Sequence, residues 1–592
     1  MKSKGAMWET IKVQIKGQER DVYKNLPASV RDLFVAVSTN FPKRDYIVYQ
    51  NERYTYEQTA ERVATIAELF RQRGVVKGDR GKLSRANGTI GRPEADPLAV
   101  KVGILMRNVP EWILSFMAIT SMGGIAVAIN AWSPLEALVH CFNNSGCKVA
   151  VVDPERAAVL VPALSAIREG GCASIFVART ASAPAGFECF EAALEGCGGV
   201  PLPKVDIAAD DHVTIFFTSG TTSLPKGVLS TQRQFLSNLP NSAASAARAA
   251  LRRGDPLPTP DPTAAQRAIL LSVPLFHVTG CQSLLFLATA AGGKIVLMHK
   301  WDVNEAVKAI KAERITTAGG VPHMVMELID SLDGHDDHIL EGLSFGGAPS
   351  SDRLPSALRK SVPKASASNA YGLTEVNAVA TSHSAEDYLN RPKSCGIATP
   401  VTEVKIMCTT SKAQLPPNQT GEIYIRGPNV AEGYWRSEKA TSEAFLPGGW
   451  FASGDVGHLD EEGWLYISDR AKEIIIRGGE NISTVAVENA LYRDERIKDC
   501  AVVPVPDPKL GELVAAVIVP KPQYSGGQIT SAQLATLVAK HLPKHCVPVL
   551  IVIRDQEMPR NATGKIVKKD LKAELGKIWE ERTKGDAGRA KL

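Results

Sequence analysis

The stretch Val213–Val228, reading VTIFFTSGTTSLPKGV, constrains this chain more than any other. Val213 to Phe217 are apolar or β-branched, the composition of a buried strand. Hydroxyls follow at once: Thr218, Ser219, Thr221, Thr222 and Ser223, with Gly220 among them, before Pro225, Lys226 and Gly227 close the run. Such a loop is suited to wrapping phosphate. Hydroxyls and backbone N–H groups supply donors, glycine permits close approach, and lysine supplies a point charge. The G-x-x-x-x-G-K-[ST] spacing of a Walker A loop is absent. Taken alone, the stretch is also compatible with a Ser/Thr-rich surface turn after a core strand.

The rest of the chain has to house that loop. At 592 residues it exceeds what one hydrophobic core serves, so two or more domains are expected. A net charge of +5 on this length gives no reason to invoke nucleic acid. The ten cysteines are scattered without a C-x-x-C pair, which indicates neither a zinc site nor a disulfide framework. The opening MKSKGAMWETIKVQIKGQER is polar and charged, unlike a secretory signal. The uncharged run Trp112 to Asn130 has the length of a membrane span, but hydroxyls and Gly123-Gly124 split it. It reads as a buried helix, a glycine turn and a strand.

Along the chain, Arg44 to Phe70 reads as a strand pair and a helix, and strand-like runs at Lys148–Val152 and Ser174–Val177 continue a βα rhythm. Gly81 to Lys101 lacks periodicity and reads as an exposed insertion; Pro240 to Arg267 reads as a surface linker or frayed helix. Short strands dominate after Gly421, and past Ile482 helices and strands alternate as in a small α+β unit. The expected architecture is therefore α/β: a large N-terminal domain (1–469) of mixed sheets flanked by helices with a small β subdomain, and a small mobile C-terminal domain (470–592).

Five stretches in this order, TSGTTSLPKG (Thr218–Gly227), YGLTE (Tyr371–Glu375), GWFASGDVG (Gly449–Gly457), SDRAKEIIIRGGENI (Ser468–Ile482) and PRNATGK (Pro559–Lys565), resemble the signatures of the adenylate-forming enzymes. These include acyl- and aryl-CoA synthetases, peptide-synthetase adenylation domains and firefly-type luciferases. The resemblance spans about Tyr46 to Lys568. It implies a two-step reaction using ATP, Mg²⁺ and coenzyme A: a carboxylate attacks the α-phosphate of ATP and expels pyrophosphate, and the CoA thiol then displaces AMP. By resemblance, Lys226 with Thr218, Ser219, Gly220, Thr221 and Thr222 holds the β- and γ-phosphates, and Glu375 binds Mg²⁺. Tyr371, with Gly372 and Thr374 beside it, stacks on adenine, with Gly347, Ala348 and Pro349 on the other face. Asp455 accepts from the ribose hydroxyls, Arg470 contacts ribose or phosphate, and Lys565 serves the bond being made.

The resemblance further implies a hinge at Lys472 and a CoA-binding loop of Arg477, Gly478, Gly479, Glu480 and Asn481. It places His277, Gly280 and Gly320 at the acyl pocket, where these glycines and Gly319 suggest room for a chain. Ala590-Lys591-Leu592 has the small–basic–leucine form of a peroxisomal signal, which implies an import receptor as partner and the peroxisome as location. A medium- or long-chain fatty acid is the expected substrate; an aryl or short hydroxy acid is the alternative, and a non-catalytic acyl-adenylate or acyl-CoA binding protein is the alternative of another class. Ser223 stands where the family usually has glycine, and Ala452-Ser453 where His-Thr is common. Only 592 − 565 = 27 residues follow Lys565, too few for a fused carrier domain.

Overall fold

The computed structural model describes residues 6–15, 17–77, 100–218, 224–257, 263–335, 337–348, 353–470, 473–478, 480–561 and 564–589. The fold grows from the run around Trp112. Pro110–Ser121 is a helix buried on every side, started by proline at its first turn. Gly123 at φ +72° turns the chain into the buried strand Ile125–Ala128. The helix needs no polar face because it lies between two sheets, with Trp112 stacking on Phe116, Phe116 on Phe235, and Phe286 meeting Phe116 edge-on. Among the described residues no helix is long and apolar enough to cross a membrane.

One sheet has eight strands in the order Gly433–Tyr434, Lys226–Thr231, His212–Thr218, Ile125–Ala128, Lys101–Leu105, Val149–Val152, Ser174–Val177 and Glu188–Cys189. Its strands from His212–Thr218 onward are parallel, the product of βα crossovers; Lys226–Thr231 turns back antiparallel. The second sheet has nine strands and runs from Ile397–Ala398 through Ala378–Ser384, Ser366–Leu373, Gly342–Gly346 and Thr317–Gly320 to the Asp45–Tyr49 hairpin. A five-stranded sheet, built from Glu403–Met407, Gly421–Arg426, Phe445–Leu446, Trp450–Leu459 and Leu465–Arg470, forms the small β subdomain. A fourth sheet of five strands, centred on the antiparallel pair Ile497–Asp507 and Gly511–Pro520, carries the C-terminal helices with its own cores on both faces.

The strand pair and helix at Arg44–Phe70 and the βα units at Val149 and Ser174 form as expected. Two expectations are corrected. Asn238–Arg253 is a helix with a buried face of Leu239, Ala244, Ala247 and Ala250, ended by Gly254 at φ +81°, so the connecting segment starts only beyond Gly254. Alanine's short side chain lets this helix pack closely while keeping high helix propensity, and a linker has the same composition. The stretch read as an insertion ends before Val100, because Lys101 already begins a buried strand; residues 78–99 lie outside the described residues. Ser219, Gly220, Thr221, Thr222, Ser223, Pro349, Lys472, Gly479, Ala590, Lys591 and Leu592 also lie outside them. All ten cysteines are free thiols.

Candidate active site

The hydroxyl-rich loop connects two antiparallel strands. Thr218 pairs with Lys226 in register, and the Thr218 Oγ1 donates to the Lys226 carbonyl at 3.3 Å. Gly227 is fixed by packing: a Cβ there would stand 2.7 Å from Ile215 Cγ2. At the far side of the loop, His140 Nε2 lies 3.0 Å from the Pro225 carbonyl. Lys226 Nζ sits over the ring of Tyr434, 4.9 Å from its centroid, and the Tyr434 hydroxyl donates to Glu375 Oε1 at 2.8 Å. Lys226, Tyr434 and Glu375 thus form one line drawn from three elements. Burial and the Glu375 carboxylate push the Tyr434 hydroxyl pKa upward, which keeps it a donor. Tyr434 is not among the residues that the sequence motifs single out. It is placed by the pairing of Val228 with Tyr434 across the sheet edge, a relation separated by some two hundred positions; its only local signal is the Gly-Tyr-Trp run.

Glu375 projects from a single 3₁₀ turn, Thr374–Val376, directly after the strand Ser366–Leu373. The turn is tight because the backbone beyond it folds back hard. A Cβ on Gly372 would lie 1.4 Å from the Ala378 carbonyl oxygen, and Asn377 and Ala378 both hold positive φ (53° and 78°). Left-handed backbone at non-glycine residues costs about 1–2 kcal/mol each, and a buried polar network offsets it. Gln282 Nε2 donates to Asn377 Oδ1 (2.9 Å), Asn377 Nδ2 to the Asn429 carbonyl (3.0 Å), and Asn429 Nδ2 to the Val376 carbonyl (2.9 Å). Only Asn377 stands near the motif in the chain; Gln282 and Asn429 are brought to it by the fold, so no local pattern marks the network.

Tyr371 and Asp455 are brought together. The Tyr371 hydroxyl donates to Asp455 Oδ2 at 2.8 Å, and burial with that carboxylate lifts the phenol well above its ordinary pKa. Ser453 accepts from the Asp455 N–H at 3.1 Å and donates to the Ile423 carbonyl at 2.7 Å, so the hydroxyl retained in Ala452-Ser453 anchors the Asp455 turn. The backbone of Arg470 lies opposite Asp455 in the strand register.

Lys565 arrives from the small domain. Its turn is internally bonded: Asn561 N donates to the Lys565 carbonyl (2.8 Å), and Lys565 N to Asn561 Oδ1 (3.0 Å). The side chain lies over Gly347, at φ +75°, where a Cβ would stand 3.6 Å from Lys565 Cε and 3.8 Å from Nζ. Ala348 follows at the end of that strand. His277 Nε2 is buried without a hydrogen-bond partner, and burial with the nearby Lys565 charge holds the imidazole down to about pKa 3, a neutral ring. At the glycines expected beside the acyl pocket, the direction a side chain would take is occupied. Cβ atoms on Gly280 and Gly319 would meet the Pro274 and Ser344 carbonyl oxygens at 2.2 and 2.3 Å, and the room beside Gly320 is filled by the Met324 thioether at 3.1 Å. Of the proposed CoA loop, Arg477 donates to the His545 carbonyl at 2.5 Å within the small domain, Gly478 turns at φ +59°, and Glu480 is exposed on the hairpin's return strand.

Among the described residues no group of three or more His, Cys, Asp or Glu side chains could hold a metal ion. Glu375 instead offers one carboxylate, bonded to Tyr434, whose ring lies beneath Lys226. That donor set fits Mg²⁺, which takes one or two protein carboxylates and completes its shell with water and phosphate oxygens.

Residues 97–435 match the AMP-binding enzyme family, and residues 486–565 match the AMP-binding enzyme C-terminal domain. The chain belongs to the AMP-binding enzymes. It is an ATP-dependent acid–CoA ligase of the AMP-forming, acid–thiol type. Among its relatives, a feruloyl-CoA synthase of Amycolatopsis sp. is 30% identical over 529 residues, covering 88% of this chain and 94% of that one. The 4-coumarate–CoA ligase CCL1 of Humulus lupulus is 29% identical over 495 residues (81% and 86%), and a 2-succinylbenzoate–CoA ligase of Bacillus mycoides is 28% identical over 542 (91% and 97%). In fold, the AMP-binding enzyme is similar to an anthranilate CoA ligase in complex with anthranoyl-AMP (TM-score 0.78, 20% identity, 94% and 99% covered). ATP-bound MatB from Rhodopseudomonas palustris is similar to the same degree (TM-score 0.77, 23% identity, 93% and 99% covered). The large N-terminal and small C-terminal domains of these enzymes are the architecture seen here.

Proposed function

We propose that this ligase activates a compact or aryl carboxylic acid, in preference to a long aliphatic one. The observation carrying this reading is Met324: its Sδ and Cε would stand 3.1 Å from a Cβ on Gly320, narrowing the room beside that glycine. Relatives named for coumarate, ferulate and succinylbenzoate support it.

In the proposed mechanism the Lys226 charge, held over Tyr434, faces the triphosphate together with the hydroxyl loop. Glu375, oriented by Tyr434 and by its strained turn, would carry Mg²⁺, which neutralises phosphate charge when bound. Tyr371 and Asp455 form the nucleoside wall, the phenol orienting the carboxylate that accepts from the ribose hydroxyls, with Arg470 opposite. Lys565 brings positive charge to the substrate carboxylate and α-phosphate as the acyl–phosphate bond forms and pyrophosphate leaves. Neutral His277 beside Lys565 leaves that charge uncontested by a second cation. The CoA sulfur then forms the thioester as the acyl–phosphate bond breaks, and AMP departs with the electron pair; Arg477, Gly478, Gly479 and Glu480 are the proposed contacts for CoA, and Lys472 the hinge.

A panel of hydroxycinnamic, benzoic, short hydroxy and C8–C18 fatty acids, assayed for acyl-CoA formation, tests the acid. The expected kcat/KM is higher for the aryl or short acids. A preference for C12–C18 acids would return the fatty acid to first place.

A further inference from the structure

We propose that Met324 is a positioning residue for adenylate formation: braced against Gly320, its thioether seats the Gly564–Lys565 turn so that the ammonium group stands over Gly347. This rests on reading Lys565 as the group that stabilises the forming adenylate. Met324 lies in the first turns of the helix Pro322–Leu332 and is 5% exposed. Two glycines face it from opposite domains. A Cβ on Gly320, at the end of its strand, would stand 3.1 Å from Met324 Sδ and Cε. A Cβ on Gly564, in the small domain, would stand 3.9 Å from the same Sδ and 3.2 Å from Cγ2 of Val321. The missing side chains form a slot that an unbranched, polarisable thioether fills.

The backbone at Gly564 and Lys565 is held by hydrogen bonds to Arg560 and Asn561, so where it seats sets where the lysine stem begins. Gly564 N donates to the Asn561 carbonyl at 2.9 Å, Lys565 N donates to Asn561 Oδ1 at 3.0 Å, and Arg560 Nη1 donates to the Gly564 carbonyl at 2.5 Å. Gly564 holds φ +81°, a conformation that other residues adopt with strain. The side chains beneath Gly564 are those of Val321 and Met324. Shortening Met324 to alanine removes one of these supports while sparing the turn's hydrogen bonds. The ammonium group then loses its register over Gly347, and misplacement by about 1 Å costs on the order of 100-fold in rate.

The test uses the full chain with Met324→Ala and Met324→Leu. Acid-dependent exchange of pyrophosphate into ATP reads the first step; thioester formation from a supplied acyl-adenylate and CoA reads the second. Met324→Ala should lower the maximal exchange rate roughly 10- to 100-fold with the ATP KM nearly unchanged, and should retain the second step. Met324→Leu should restore most of the exchange. Retention of the second step also shows that the variant is folded. Should Met324→Ala not accumulate as folded protein, Val321→Ala removes the other contact of Gly564 and is read the same way. Unchanged exchange, equal loss of both steps, or a rise confined to the acid KM would each overturn the proposal, the last making Met324 only a pocket wall. Lys565→Ala runs alongside and should abolish exchange while sparing the second step. If it retains exchange, the assignment of Lys565 fails; if it alone abolishes exchange, only the role of Met324 falls.

Discussion

Replacing Tyr434 by phenylalanine removes one oxygen and leaves the ring beneath Lys226 in place, 4.9 Å from its ammonium nitrogen. The lost interaction is a 2.8 Å hydrogen bond donated to a carboxylate that is only 9% exposed. Hydrogen bonds to charged groups contribute about 1.5–3 kcal/mol. If the bond orients Glu375 in the transition state, that energy converts to about a 10- to 150-fold loss, at 1.36 kcal/mol per factor of ten. The assay is ATP–pyrophosphate exchange at saturating acid, titrated with Mg²⁺ and ATP. The expected Tyr434→Phe enzyme has a lower maximal rate and a higher Mg²⁺ requirement. Tyr434→Leu, which also removes the ring under Lys226, should be worse still. Wild-type exchange by Tyr434→Phe across the Mg²⁺ titration would refute the orienting role and reduce the Lys226–Tyr434–Glu375 line to packing.

Gly372→Ala should prevent stable folding of the Glu375 turn, since its Cβ would overlap the Ala378 carbonyl oxygen at 1.4 Å; soluble yield and thermal unfolding measure this, and a stable, active variant would contradict the turn geometry. Stability should also fall with acid. Burial, aided by Lys565, holds His277 down to about 3, and burial holds His383 to about 4, against an ordinary value of 6.5. The unfolded chain binds protons that the fold refuses, so stability is full above about pH 6.5 and declines toward pH 3, by up to about 1.4 kcal/mol per pH unit for each group. Denaturant titrations of His277→Gln with His383→Phe should show a flatter acid limb than wild type, and an unchanged limb would exclude these imidazoles as its cause.

The parts of this site that are legible in the sequence are those whose chemistry is local. The strand opening into hydroxyls and Lys226 suggests phosphate by its composition, whereas Glu375, Asp455 and Lys565 are picked out only because the short runs holding them resemble family signatures. The rest is non-local. Tyr434 is placed by strand register, Met324 by the docking of two domains, and the Asn377–Asn429 network by folding of the β subdomain against a sheet. Glycine is ambiguous: at Gly280 and Gly319 a Cβ would meet a backbone carbonyl oxygen, a close approach that composition does not distinguish from room for a chain. The alanine-rich helix Asn238–Arg253 reads from sequence as a linker or a frayed helix for a related reason, because small residues that permit tight packing also populate linkers.

The arrival of Lys565 from the small domain has a consequence for how the enzyme comes into being. Lys226, Glu375 and Tyr434 are complete when residue 434 has been synthesised, and the lysine follows 565 − 434 = 131 residues later. At roughly 5–20 residues per second that interval is about 7–26 s, and N-terminal domains fold first. During it the nascent chain holds the Lys226–Tyr434–Glu375 line but lacks the lysine proposed to serve adenylate formation. On the proposed role of Lys565, adenylate formation waits until the small domain has folded and docked, so activity would report that its synthesis is finished.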